Sequence, residues 1–134
     1  MHKFDTITFE TAHSIGVLTL NRPEFHNAMN QKCLSECTAV LELIKNDDAI
    51  RVLIIKGAGE KAFTAGADLR EFAAYGPEEA REANEAWLGF FNAIESLPIP
   101  VIAQVRGHAP GGGTELSLCC DFVICSTDAK FRLA

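Results

Sequence analysis

The chain has 134 residues, 48% of them hydrophobic and 22% charged, with a formal net charge of −6. That length suits one domain able to bury roughly two-thirds of the surface its unfolded form exposes, and the apolar share excludes a disordered chain. The negative balance leaves no basic stripe for a phosphate backbone and no run of about 18 apolar residues occurs, so neither nucleic acid nor membrane is an expected partner.

The N-terminal Met1-His2-Lys3-Phe4-Asp5-Thr6 lacks the apolar core of a secretory signal, which makes the cytoplasm the expected compartment. Phe4 to Glu10 and Ile15 to Leu20 read as two short strands, the first alternating, with Ala12-His13-Ser14-Ile15-Gly16 as a hairpin connection. Asn21-Arg22-Pro23 ends the pair. From Asn27 to Asn46 the apolar Met29, Cys33, Cys37, Val40, Leu41 and Ile44 recur at helical spacing, with Asn27 or Asn30 as the cap. Val52-Leu53-Ile54-Ile55 is a continuous apolar run that suits a strand buried on both faces, and Val101 to Val105 and Phe122 to Cys125 read likewise. Gly76-Pro77-Glu78-Glu79 opens a helix, with proline in its first turn and acids beside it. Its Ala80, Ala83, Trp87, Phe90, Phe91 and Ile94 share one side and read as core, and Leu97-Pro98-Ile99-Pro100 stops it. Strands separated by helical stretches predict an α/β layered domain with parallel crossovers and no internal linker or repeat.

The five cysteines, an odd number with Cys119 and Cys120 adjacent, fit free thiols in a reducing compartment. Cys33 and Cys37 lie four apart on one helical face, but no second ligand pair follows, so they read as small buried hydrophobes and no metal is expected. Gly57-Ala58-Gly59-Glu60-Lys61 is too compact for a phosphate-binding P-loop, and no G-x-S-x-G nucleophile elbow is present.

Two glycine-rich loops carry the chemistry: Ala65-Gly66-Ala67-Asp68-Leu69, and Gly107-His108-Ala109-Pro110-Gly111-Gly112-Gly113-Thr114-Glu115. Each follows an apolar run and opens into a helical pattern, so each can present free backbone N–H groups to one oxygen. Paired donors of this kind form an oxyanion hole, the device that stabilises charge developing on a carbonyl oxygen. Glu115 falls in the first turn of a helix from Thr114 to Cys119, where the helix dipole favours its charged form. Asp68-Leu69-Arg70-Glu71 has capping-box spacing, so the Asp68 carboxylate is expected to bond backbone N–H groups of its own helix. His108 is read as a loop residue, and Pro110 as a stiffener of the loop.

The F-x-A-G-A-D-L loop followed by G-x-A-x-G-G-G-x-E-L resembles the crotonase, or enoyl-CoA hydratase and isomerase, superfamily over nearly the whole chain. The resemblance implies a crotonase-like fold of ββα units stacked in a right-handed spiral, of which residues 1–134 would be the N-terminal portion of a single domain. It implies Ala67 and Gly112 as the two oxyanion donors and Glu115 as one of two hydratase glutamates, which holds a water and exchanges protons with the substrate. Phe25, His26, Ala28, Ala65, Gly66, Asp68, Leu69 and Gly111 fall where the family lines its thioester and coenzyme A site, with the Ala65 carbonyl directed at the adenine. Some relatives carry a basic residue near Phe25, whereas this chain has Glu24.

The substrate so implied is an acyl-CoA thioester, with coenzyme A part of the substrate and no separate cofactor. The assembly implied is a homotrimer or a hexamer. The expected activity is hydration of a trans-2-enoyl-CoA; the same fold also serves enoyl-CoA isomerases and acyl-CoA hydrolases, which keep the hole and relocate the acid and base. The family's second glutamate would come immediately after Ala134, so residues 1–134 alone are expected to be inactive. The competing expectation is a non-catalytic module that binds coenzyme A or assembles with another subunit.

Overall fold

The computed structural model describes residues 3–133; Met1 and His2, part of the hexapeptide read for a signal, and Ala134 lie outside the described residues. Strands β1 (Ile7–Ala12) and β2 (Ile15–Leu20) form an antiparallel hairpin. Its turn is His13-Ser14, both with positive φ (52° and 67°), the backbone handedness that matches the twist of a two-residue hairpin. The first strand starts three residues later than its alternation predicts. Residues 5 and 6 are instead taken up by helix α1 (Gln31–Lys45): the Glu36 carboxylate accepts the backbone N–H groups of Asp5 and Thr6, each at 2.9 Å.

Beyond the hairpin every pairing in the main sheet is parallel. Strand β3 (Val52–Gly57) pairs with β2, β4 (Val101–Val105) with β3, and β6 (Phe122–Cys125) with β4, in the order β1-β2-β3-β4-β6. Two long helices make the crossovers: α1 between β2 and β3, and α3 (Pro77–Glu95) between β3 and β4, preceded by the one-turn α2 (Leu69–Ala73). Asn30 caps α1 by accepting the Cys33 N–H at 2.9 Å. At α3 Pro77 leads the first turn, and Glu79 reaches back to the Gly76 N–H.

The core lies between the sheet and these helices. Leu18, Leu20, Leu53, Ile55, Val101, Ala103 and Val105 alternate along their strands, and they join Cys33, Cys37, Val40, Leu41 and Ile44 of α1 and Phe90 and Ile94 of α3 in one buried cluster. Trp87 and Phe91 pack half-buried against it, in keeping with the core reading of that stripe. The reading of β3, β4 and β6 as buried on both faces needs correction. In β3 and β4 the alternate residues, Ile54 and Ile102 among them, stay half-buried because both long helices contribute to the cluster on the opposite face; β6 is exposed throughout, with Phe122 at 61% and Ile124 at 62%.

The remaining elements are short. His108 is not in a loop: strand β5 (His108–Pro110) pairs in parallel with β7 (Lys130–Arg132), and helix α4 (Gly112–Cys119) follows β5 directly, starting two residues before the predicted Thr114.

Candidate active site

The two glycine-rich loops are brought together by backbone hydrogen bonds that no local pattern announces. His108 donates its N–H to the Lys61 carbonyl at 3.0 Å and accepts the Phe63 N–H at 2.9 Å, so the chain leading into Ala65-Gly66-Ala67 runs beside the chain leading into Gly111-Gly112. On its other flank the first loop is laced to residues 26–29. Ala65 N–H donates to the His26 carbonyl (3.0 Å), Met29 N–H to the Gly66 carbonyl (2.7 Å) and Asp68 N–H to the Met29 carbonyl (3.1 Å).

Of the N–H groups of residues 65–68, that of Ala67 is left without an acceptor. Gly66 N–H is taken by the Thr64 hydroxyl at 3.0 Å, and that hydroxyl in turn donates to the Asn27 carbonyl at 2.7 Å. In the second loop Gly111 N–H donates to the Arg132 carbonyl and Glu115 N–H to the Gly111 carbonyl, while Gly112, the first residue of α4, has no intrahelical acceptor for its N–H. Among the described residues, neither the Ala67 nor the Gly112 N–H meets a hydrogen-bond acceptor. The two sites are adjacent: a Cβ built on Gly112 would lie 3.1 Å from the Gly66 Cα and 3.5 Å from the Ala67 nitrogen.

Local backbone conformations create these free donors. Gly66 has φ +88°, which turns the Ala65-Gly66 strand-like backbone toward α4, and Gly111, at φ 53° and ψ −116°, makes the sharp bend from β5 into the helix. Thr114 locks the second bend, its hydroxyl donating to the Ala109 carbonyl and accepting the Arg132 N–H at 2.9 Å. Glu115 stands three residues after Gly112 and therefore on the same face of α4, with its side chain exposed. One turn further, burial raises the Cys119 thiol to about 11, with the nearby Glu95 and Glu115 carboxylates adding to the effect.

The residues flanking the first loop form an arginine cluster. Asp68 caps α2 by accepting the Arg70 N–H at 3.1 Å, but Glu71 does not complete a capping box; its carboxylate accepts the Gln31 N–H and the Tyr75 hydroxyl instead. The Asp68 carboxylate also accepts from Arg22 (3.2 Å) and Arg70 (3.3 Å). Burial pushes its carboxyl up, but the hydrogen bonds from Arg70 and Arg22 outweigh that and hold it below the ordinary carboxylate value. The Phe25 ring carries both guanidinium groups, at 4.7 Å for Arg22 and 4.2 Å for Arg70.

His26 is exposed and left-handed (φ 52°), Ala28 is buried, and Leu69 is 78% exposed at the start of α2. The Ala65 carbonyl accepts no hydrogen bond from any described residue. Arg22, Arg70, Asn27 and Thr64 were not legible as site residues. Arg22 and Asp68 are 46 positions apart, and only the pairing of residues 26–29 with 65–68 brings them together. Among the described residues no group of three or more His, Cys, Asp or Glu could hold a metal ion, and no helix is long and apolar enough to cross a membrane.

Fold and abutting loops together define a crotonase-like α/β protein. The chain belongs to the enoyl-CoA hydratase/isomerase family, whose model matches residues 10–134. It is 41% identical over 128 residues to the crotonyl-CoA hydratase of Syntrophomonas wolfei, covering 96% of this chain and 49% of that protein. It is 38% identical over 129 residues to the short-chain-enoyl-CoA hydratase of Clostridium acetobutylicum, with the same coverage of each. The crystal structure of an enoyl-CoA hydratase from Bacillus anthracis superposes with a TM-score of 0.91 at 41% identity, over 95% of this chain and 50% of that one. The chain thus spans about half the length of the curated relatives it matches.

Proposed function

We propose that the protein carrying this chain hydrates the double bond of a trans-2-enoyl-CoA thioester. The observation that carries the reading is the pair of adjacent, unpaired N–H groups of Ala67 and Gly112, with Glu115 one turn along the same helix face. In this reading the thioester oxygen accepts both N–H groups, and the negative charge it gains as the double bond is attacked is stabilised by fixed dipoles. Water adds its oxygen to the β-carbon as Glu115 takes a proton from it, and the collapsing enolate takes that proton up at its α-carbon, so that one water is added and Glu115 returns to its carboxylate form.

In the same reading Phe25, His26, Ala28, Ala65, Gly66, Asp68, Leu69 and Gly111 form the coenzyme A side of the site. The unpaired Ala65 carbonyl supports it, being free to accept from an adenine amino group. Coenzyme A then enters as part of the substrate, with no separate cofactor. Arg70, 66% exposed, supplies positive charge beside Phe25, where Glu24 does not. The names of the relatives, crotonyl-CoA and short-chain-enoyl-CoA hydratases, favour hydration over isomerisation or thioester hydrolysis. The exposed apolar strand β6 calls for a cover, either from the half of its relatives' length that this chain does not span or from a further subunit of the homotrimer or hexamer.

The test is 3-hydroxyacyl-CoA formation from crotonyl-CoA by the complete natural protein and by its Glu115→Gln variant. The variant is expected to fold normally, since the side chain is exposed, and to lose about 10²- to 10⁴-fold in rate. A variant as fast as the parent would remove Glu115 from the mechanism. A folded parent that forms no 3-hydroxyacyl-CoA would move the assignment to isomerisation or hydrolysis.

A further inference from the structure

We infer that Arg22 is a positioning residue for the Ala67 N–H, acting through Asp68; the inference rests on the reading of Ala67 as an oxyanion donor. The peptide units on either side of Ala67 are both held by Met29, whose N–H bonds the Gly66 carbonyl and whose carbonyl accepts the Asp68 N–H. The Ala65 N–H on the His26 carbonyl adds a third tie, so the Ala65 side of Ala67 is held to residues 26–29 by two backbone bonds and the Asp68 side by one. Arg22 adds a second tie on that side, because a single Nη1 donates to the Ala28 carbonyl at 2.7 Å and to Asp68 Oδ2 at 3.2 Å. It ties the residue before Met29 to the residue after Ala67.

The tie is strong because it is buried. The Arg22 side chain is 12% exposed and that of Asp68 8%, so separating them would leave an unpaired charge with little water to receive it. Arg70 also bonds Asp68, but it is 66% exposed and sits on α2 itself, so its only tie to another segment is the contact with the Phe25 ring, and its ion pair is weakened by solvent. The Phe25 ring, at the end of the short helical turn Pro23–Phe25, lies against both guanidinium groups and packs on that of Arg22. Asp68 therefore has one place, and the Ala67 N–H has one direction.

The test uses the complete natural protein and two substitutions, Arg22→Met and Arg22→Lys, with readouts that do not all depend on turnover. The first is hydrogen exchange of residues 65–68. The second is the red shift of a bound arylenoyl-CoA chromophore, which reports polarisation of its thioester carbonyl. In Arg22→Met exchange is expected to speed up, the red shift to shrink, and kcat to fall about 10- to 100-fold, with KM changing by less than about threefold. Lysine keeps the charge but not the rigid fork, so Arg22→Lys is expected to recover part of the red shift and of kcat.

Unchanged exchange at residues 65–68, or a full red shift, in folded Arg22→Met overturns the inference. If that variant does not fold, the same two results in Arg22→Lys overturn it. A parent protein showing neither hydration nor red shift would instead sink the oxyanion reading, and the exchange comparison would still decide whether Arg22 holds the loop.

Discussion

Gly66 and Gly112 meet backbone to backbone: a Cβ on Gly66 would stand 2.8 Å from the Gly112 nitrogen and 3.0 Å from its Cα. The contact explains why both loops are glycine-rich at this point, since any side chain would wedge apart the backbone around the two unpaired N–H groups. Gly66→Ala is expected to lower stability by about 1–3 kcal/mol, from the φ of +88° and from the contact. Hydration should fall by about 10²- to 10³-fold, the effect of losing one donor. Calorimetry and a crotonyl-CoA assay on the same preparation check both, and a variant with parental kcat would separate the glycine contact from the chemistry.

Asn27 is the hub beneath that contact. It is 1% exposed and left-handed (φ 58°), its amide donates to the Ala58 and Ala62 carbonyls at 3.0 Å each, and its side-chain oxygen accepts the Arg22 N–H at 3.0 Å. Asn27→Ala strands three backbone groups and puts alanine in an unfavourable conformation, so urea unfolding should show a loss of about 2–4 kcal/mol. A loss below about 1 kcal/mol would mean that water replaces the amide at little cost.

Asp68 gives the protein an acid-sensitive component of stability. Its folded carboxyl titrates below the ordinary value, so the ionised form is favoured by folding. That contribution is fully present above the unfolded value of about 4 and is lost as pH falls through the lower folded value. Asp68→Asn should therefore be less stable than the parent at pH 7, and the gap should narrow on acidification below about pH 4. Melting temperatures measured across that range, with a constant gap, would refute the assignment.

In the core, Phe90 is 1% exposed and edge-on to Trp87 at 6.4 Å between centroids. Phe90→Ala should lower stability by about 3–5 kcal/mol. Leu88, two positions away and 61% exposed, should tolerate alanine within about 0.5 kcal/mol. Equal effects at the two positions would show that α3 packs with a different face than described.

The elements themselves were largely legible because their signals are local. Asn30 before a helical stripe, Gly76-Pro77 before another, and the apolar run Val52–Ile55 each name an element within a few residues. The misreadings have separate causes. A run such as Phe122–Cys125 records that a strand is apolar but not what covers it, so an exposed edge and a buried centre look alike. The start of α4 was placed two residues late because the bend at Gly111 lets glycines enter a helix they would not be expected to begin.

What the sequence by itself determined was the two glycine-rich segments next to helix starts, a pattern held within a few residues, and within them the resemblance to the crotonase family singles out Ala67, Gly112 and Glu115. Only the tertiary structure decided that the two loops touch and that Arg22 reaches Asp68. Those relations depend on His108 bonding to Lys61 and Phe63, and on residues 26–29 bonding to 65–68. Backbone N–H and C=O groups are the same in every residue, so long-range pairings between them leave little mark in the sequence of side chains.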